Sequence, residues 1–415
     1  MFYKMKTLYK KLKVVFPGSE HNGRNIDILV QNNKIVDIGS NLNSEAEKTV
    51  ITKGLLLMPT LVDMQCSVGE PGNEHKETLE SAAKAAKSGG FGTIVTLPTT
   101  SPVVDNKAQL HYISQKSNKL PVQILSYGSI TKGAKGIELS EMYDMKQHGA
   151  LAFSDGKRPI EDASMMKRAL EYAKAFDGIV CSFPYEERLS PGAMAHESVG
   201  NTSLGIKCAP ALSEQMMLSR DLSLLEYTHS RLHVSTLSSS ESLKLTKEAK
   251  KRKLSVTVGV ALPNLLFTDE ELQTFDTNYK TIPFLREKSD KDALIKAAST
   301  GEIDVIVTDH SPENVEGKDR EFDHAEYGMT MLETALSLIN MHLVSALNWD
   351  AIVTLMAINP RRILGLPAPS LEKGAEFDFI VFDPNTEWIY NKTTCLSLSQ
   401  NSPVFGETLK GRVIS

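Results

Sequence analysis

Cysteine is scarce in this chain, and the spacing of its cysteines excludes two classes of structure. The 415 residues include four cysteines, and none of them forms a C-x-x-C motif. We therefore expect neither a disulfide-stapled secreted fold nor a zinc site built from thiolates. The pattern is typical of the reducing cytoplasm, and we predict that location. The four residues are Cys66, Cys181, Cys208 and Cys395.

Long apolar runs and an excess of positive charge are also missing. No apolar run approaches the roughly 18 residues of a membrane span. The five lysines among the first thirteen residues are not followed by the apolar core of a signal peptide. The 46 basic and 51 acidic side chains give a net charge of −5. We therefore predict neither a membrane nor a nucleic-acid partner.

The middle of the chain alternates strand-like and helical segments, a pattern that indicates βα units and a parallel sheet. Eight such units predict a (β/α)8 TIM barrel over residues 57–365, with its active site at the C-terminal ends of the strands. The strand-like runs are 57–66, 91–98, 122–130, 150–155, 178–183, 231–237, 254–260 and 303–310.

Both ends of the chain are rich in β-type sequence. Short runs of this kind lie at 11–16, 26–30, 34–38, 377–382 and 410–414. We therefore predict an α/β fold in which the barrel carries a small composite β-sandwich domain, built from residues 1–56 plus 366–415.

The periodicity also predicts two helices near the end of the barrel. They cover residues 329–344 and 349–358, and Pro360 is expected to end the second of them.

Several motifs occur in a fixed order along the chain. Glu70-Pro71-Gly72 follows the first strand, Ala152-Phe153-Ser154-Asp155 ends the fourth, and Val307-Thr308-Asp309-His310-Ser311-Pro312 ends the eighth. Leu332-Glu333-Thr334 and Leu409-Lys410-Gly411-Arg412-Val413 lie further on. Together these motifs resemble those of dihydroorotase, of the amidohydrolase superfamily, from end to end.

This resemblance implies a zinc enzyme, in which metal-activated water attacks an amide carbon to open dihydroorotate. Family members ligate the metal with a His-x-His pair on strand one and one histidine each from strands five and six. A carboxylate or carboxylated lysine from strand four and an aspartate from strand eight complete the set. The aspartate is also the general acid or base.

The chain departs from this ligand pattern at most positions. The His-x-His positions hold Gln65 and Ser67, and the strand-six position holds Thr236. The strand-five position holds Phe183, or Ser182 if the alignment moves by one residue.

Two acids of the family pattern remain, Asp155 on strand four and Asp309 on strand eight. Two carboxylates without imidazole partners make a poor zinc site, so we predict no cofactor. Both acids are expected to hydrogen-bond to neighbouring loops and helix N-termini. If a vestige of the chemistry remains, Asp309 is the first candidate. Cys66 and His233 are expected to be packed, structural residues.

The positions that hold substrate in the family are altered as well. Gly69 stands where the family has a carboxylate-binding arginine, and Thr99 where it has an asparagine. Ile282 replaces a loop asparagine, and Glu313 replaces the last histidine of the strand-eight motif. We expect this site to bind dihydroorotate poorly.

Three interpretations follow from these residues. The first is an inactive relative, similar to the pseudo-dihydroorotases, which forms a homo-oligomer and serves as a scaffold or regulatory subunit for aspartate carbamoyltransferase. The second is an active dihydroorotase or other cyclic amidohydrolase with an atypical metal site. Against it stands the loss of the metal ligands, which removes the activated water. The third is a protein that binds a small polar molecule without converting it. We favour the first.

Overall fold

The computed structural model describes residues 6–43 and 46–414, in which strands alternate with helices. The predicted α/β class is confirmed. The strands are β1 (Lys6–Val14), β2 (Asn25–Gln31), β3 (Lys34–Gly39), β4 (Lys48–Ile51), β5 (Leu56–Pro59), β6 (Leu61–Cys66), β7 (Phe91–Thr96), β8 (Gln123–Ser126), β9 (Val180–Ser182), β10 (Ala195–His196), β11 (Cys208–Ala209), β12 (Leu232–Leu237), β13 (Val256–Ala261), β14 (Val305–Val307), β15 (Phe379–Ile389) and β16 (Thr408–Val413).

The helices lie mostly between these strands. They are α1 (Leu79–Ser88), α2 (Lys107–Ser117), α3 (Met142–Gln147), α4 (Ala163–Lys174), α5 (Val199–Ser203), α6 (Leu212–Thr228), α7 (Ser240–Lys251), α8 (Leu262–Leu266), α9 (Lys288–Ser299), α10 (Val315–Lys318), α11 (Ala335–His342), α12 (Val344–Val353) and α13 (Asn359–Leu364). Among the described residues, no helix combines the length and the apolar composition that a membrane crossing requires.

The middle of the chain forms two larger parallel sheets, β6-β7-β8 and β9-β12-β13-β14, and a short two-stranded parallel sheet, β10-β11. The predicted fourth strand is reduced to single parallel bridges from Phe153 to Gly128 and to Val180, which link the two larger sheets. On the other side, β14 packs beside β6, and the Ser67 N–H donates to the His310 carbonyl at 2.7 Å. The parallel segments therefore follow one another in chain order, and their C-terminal ends share one face.

Seven strands from both ends of the chain form a single mixed sheet. Its order is β16-β15-β5-β1-β2-β3, and β4 pairs with β1. Antiparallel pairing of β15 with β5 places Ile380 opposite Met58. Leu12, Ile28 and Val381 belong to one buried apolar cluster under this sheet. The β-rich ends predicted from the sequence are thus joined by direct pairing.

The predicted single strand over 57–66 is wrong, because the chain bends at Thr60. β5 pairs within the terminal sheet, whereas β6 starts the parallel one. The Thr60 N–H donates to the Asp378 carbonyl at 3.1 Å. Arg361 donates to the Thr60 carbonyl and to Asp378 Oδ2, both at 2.8 Å. These long-range bonds fix a bend inside a sequence that is apolar on both sides.

The predicted helix over 329–344 is too long at its start, since α11 begins at Ala335. The N–H groups of Met331 and Leu332 donate instead to His310 Nδ1, at 3.1 and 3.4 Å. The role expected of Pro360 is also wrong. A π-helical turn at Thr354–Ile358 links α12 to α13, and Pro360 lies in the first turn of α13, where its missing N–H leaves no bond unmade.

Candidate functional site

Asp309 lies just after β14, on the face where the parallel strands end, and its residue is only 2% exposed. Its Oδ1 accepts a hydrogen bond from Gln65 Nε2 at 2.8 Å. Its Oδ2 accepts one from Lys157 Nζ, also at 2.8 Å. The expectation that loops and helix N-termini would satisfy this carboxylate holds in part, since Lys157 lies in a loop but Gln65 belongs to β6. Side chains from the first and fourth strand ends reach across the face to do so.

Lys157 is the residue of this site that sequence reasoning missed. It comes two residues after Asp155, beyond a glycine with a φ of 72°. Its Nζ also donates to Ser311 Oγ at 3.3 Å, and its side chain is 17% exposed. The available signal was its position, since a lysine just beyond a strand end of a parallel barrel lies on the same face as Asp309.

Asp155 is buried but turns toward a loop, as expected. Its Oδ1 accepts hydrogen bonds from the N–H groups of Ile130 and Thr131, at 2.8 and 3.0 Å. The Thr131 hydroxyl donates to its Oδ2. Burial raises the pKa of this carboxyl, while the three hydrogen bonds act in the opposite direction. Asp155 is thus occupied in holding the loop after the third strand.

The other ligand positions carry no metal-binding side chain. Ser67 contributes its backbone N–H to the contact with His310. Phe183 is buried, with its ring centroid 6.4 Å from that of Tyr185. The Thr236 hydroxyl oxygen is buried without a hydrogen-bond partner. In place of imidazoles, these positions present a hydroxymethyl group, a phenyl ring and a lone hydroxyl.

The residues present do not fit the zinc that the family pattern implies. Catalytic zinc sites use three protein ligands, among which histidine is prominent. Across the part of the chain that the structure describes, no three His, Cys, Asp or Glu side chains are grouped so that they could hold a metal ion. The two acids of the pattern, Asp155 and Asp309, are each bonded to other groups.

Asp63 is a second buried acid beside this site. Its carboxylate accepts hydrogen bonds from the N–H groups of Gln65 and Thr308, at 3.1 and 3.3 Å, and from the Thr308 hydroxyl. Desolvation raises its pKa to about 7, against the lowering effect of these bonds. The acid links β6 to the end of β14, and it titrates in the neutral range.

The position of the family's clamp arginine has no room for a side chain. A Cβ atom on Gly69 would lie 2.0 Å from the carbonyl oxygen of Asn73 and 2.8 Å from that of Glu77. Thr99 lies beside the turn that carries Lys157, since a Cβ on Gly156 would come within 2.5 Å of its methyl carbon. The loop after β6 is thus closed where the family binds a carboxylate.

The residues at the other two substrate positions, Ile282 and Glu313, make contacts within the chain. Ile282 packs against an apolar cluster that contains Phe284. Glu313 Oε2 lies 2.7 Å from Lys76 Nζ, so its charge is paired within the chain. Burial nevertheless raises the pKa of this carboxyl. None of the four altered positions carries a cationic or amide side chain that could bind an anionic substrate.

The structural roles expected for His233 and Cys66 are confirmed. His233 Nδ1 lies 2.9 Å from Thr257 Oγ1, and burial lowers the pKa of its imidazole to about 4. Cys66 is fully buried, and the four cysteines are all free.

Comparison with known proteins identifies the family. Residues 54–242 match the family model described as dihydro-orotase-like. The dihydroorotase of Pelotomaculum thermopropionicum is 40% identical over 387 residues, which cover 93% of this chain and 91% of that protein. The chain belongs to the dihydroorotase family. The dihydroorotase of Syntrophus aciditrophicus is 37% identical over 415 residues, with 99% of this chain and 97% of that protein covered.

Solved structures extend the likeness of this dihydroorotase-family chain to its fold. L-hydantoinase (dihydropyrimidinase) from Arthrobacter aurescens superposes with a TM-score of 0.85 at 21% identity, covering 99% of this chain and 94% of that one. D-hydantoinase from Thermus sp. gives 0.81 at 20% identity, with 98% and 93% covered. At such identities the likeness concerns the fold alone, and the site has to be judged on its own residues.

Proposed function

We propose that this chain is a dihydroorotase homologue of pyrimidine biosynthesis that no longer catalyses the reaction. One observation carries the proposal. Both carboxylate oxygens of Asp309 are bonded to donors of this chain, Gln65 and Lys157. The Lys157 ammonium neutralises this carboxylate and repels a cation from it, which disfavours metal binding at Asp309.

The loss of the reaction follows from the loss of its nucleophile. A bound metal lowers the pKa of water from about 15.7 to about 7, which makes hydroxide available at neutral pH. Gln65, Ser67, Phe183 and Thr236 cannot replace the imidazoles that hold such a metal. Oriented hydrogen bonds alone do not supply that nucleophile.

The architecture that we propose is a closed (β/α)8 barrel over residues 57–365. The contacts between β14 and β6, and the bridges at Phe153, support closure. A composite β-domain is formed by residues 1–56 plus 366–415, and the pairing of β5 with β15 supports it.

For the role of the inactive chain, we propose a cytoplasmic homo-oligomer that serves as scaffold or regulatory subunit for aspartate carbamoyltransferase. The family resemblance supports this role, because the sequence keeps the motifs that maintain the fold while it loses those of the reaction. Four free cysteines agree with a reducing compartment.

Hydrolysis of dihydroorotate tests the loss of catalysis. The purified protein is assayed with zinc supplied, beside an Asp309→Asn variant that keeps the shape of the side chain. We expect no turnover by either protein. Turnover at ordinary enzyme rates that disappears in the variant would contradict the proposal and support the alternative, an active amidohydrolase with an atypical metal site.

Reconstitution tests the partner. Aspartate carbamoyltransferase from the same organism is produced with and without this chain, and its mass and activity are compared. We expect a larger complex and a gain in activity when both are present. An enzyme that assembles and works equally well alone, with no complex formed, would refute the scaffold role.

A further inference from the structure

Lys157 and Asp309 form a largely buried ion pair on the strand-end face. The two side chains are 17% and 1% exposed, and the ammonium lies 2.8 Å from Oδ2. Lys157 also donates to Ser311 Oγ, and Gln65 bonds the other carboxylate oxygen. The carboxylate therefore accepts hydrogen bonds on both sides, from groups that come from two other strand ends.

A buried carboxylate requires a compensating charge. Removing an ion from water costs several kcal/mol even after the protein relaxes, and a well-placed opposite charge offsets that cost. In the family pattern a divalent metal supplies positive charge at this aspartate. In this chain the positive charge closest to it is an ammonium on a flexible stem.

We propose that the Lys157 ammonium takes over the electrostatic role of the metal at Asp309, and that it closes this position to metal ions. The inference rests on the proposed loss of metal chemistry. It adds that a positive charge of this chain takes the place of the lost metal, because a cation approaching Asp309 would meet the Lys157 ammonium 2.8 Å from Oδ2. Restoring histidines at positions 65 and 67 alone would leave the ammonium in place.

A double-mutant cycle in thermal unfolding tests the charge replacement. The variants are Lys157→Met, Asp309→Asn and the two combined, with Lys107→Met as control because the pair of Lys107 with Asp144 is exposed. We expect Lys157→Met to lower the melting temperature by roughly 2–5 °C, since it leaves a buried charge unpaired. The double variant is expected to recover part of that loss. A loss in the double variant equal to the sum of the two single losses would overturn the proposal, and so would a loss in Lys157→Met no larger than that in the control.

Cobalt titration tests the exclusion of metal, with the visible absorption of Co²⁺ as readout. Gln65→His/Ser67→His is compared with the same pair plus Lys157→Met. We expect the triple variant to bind Co²⁺ at least about tenfold more tightly, because the ammonium no longer competes for Asp309. Equal affinities would overturn the proposal.

The failures of this inference and of the proposed function are distinguishable. Stoichiometric metal in the unmodified protein, with turnover, would refute both. If the protein is metal-free and inactive, but the double-mutant cycle shows no coupling between Lys157 and Asp309, only the proposed role of Lys157 is refuted.

Discussion

Replacing Asp63 with asparagine is expected to remove a pH dependence from the stability of this protein. Asp63 is fully buried between β6 and the end of β14, and its pKa is raised from 3.8 to about 7 by desolvation. An acid whose pKa is raised on folding binds its proton more tightly in the folded state. It therefore contributes stability at low pH, and this contribution is lost as the pH rises through the folded pKa.

The magnitude follows from the shift. A difference of about three pH units at about 1.36 kcal/mol per unit corresponds to about 4 kcal/mol. The contribution is fully present below pH 3.8 and is lost by about pH 7. Asparagine resembles the protonated acid in shape and charge, so the variant has no proton to lose over this range.

Urea unfolding of the two proteins from about pH 4 to pH 8 measures the effect. We expect the free energy of unfolding of Asp63→Asn to rise relative to the unmodified protein by up to about 4 kcal/mol across this range. Asp319→Asn, at an exposed position, is the control and is expected to run parallel to the unmodified protein. Parallel curves for Asp63→Asn as well would refute the raised pKa and the reasoning from burial.

Three further predictions concern other parts of the molecule. Gly69→Ala is expected to lose at least about 1–3 kcal/mol in urea unfolding, because its Cβ would lie 2.0 Å from the Asn73 carbonyl oxygen; an unchanged midpoint would contradict this. Arg361→Met is expected to lose about 1–3 kcal/mol in the same assay, since the Thr60 carbonyl loses its donor while Asp378, 42% exposed, can turn to water; a Lys392→Met control should lose nothing. For His196, burial lowers the imidazole pKa from 6.5 to about 4. The stability that His196 contributes is present above pH 6.5 and is lost as the pH falls to about 4. We therefore expect His196→Gln to lose less stability in acid than the unmodified protein. The urea midpoints of both proteins at pH 4 and pH 7 measure this difference.

Much of the parallel sheet could be predicted from local sequence. The strands β7, β12 and β13 are short runs rich in apolar and β-branched residues, and helices or loops separate them. Such runs predict strands from their own composition, because a strand that is buried on both faces needs apolar residues at nearly every position.

The elements that were predicted wrongly depend on distant partners. Within residues 57–66, Pro59 is the local sign of the break before Thr60, and the bend itself is held by Arg361 and Asp378. The late start of α11 likewise depends on His310. Its imidazole Nδ1 accepts hydrogen bonds from the N–H groups of Met331 and Leu332, which lie within the predicted helix.

The candidate site was predictable in what it lacks but not in what replaces it. The absence of imidazoles at Gln65 and Thr236 can be read directly from the sequence. The pairing of Lys157 with Asp309 joins residues 152 positions apart, and no local pattern contains it. Only the fold brings the two together.

The terminal sheet has a consequence for how the protein is made. Met58 pairs with Ile380, which the ribosome adds 322 residues later. At about 5–20 residues per second, β5 is synthesised roughly 15–60 s before its partner β15 emerges. During translation the sheet therefore ends at β5 with an unpaired edge, and a nascent chain stalled before residue 380 displays a strand that other chains can bind.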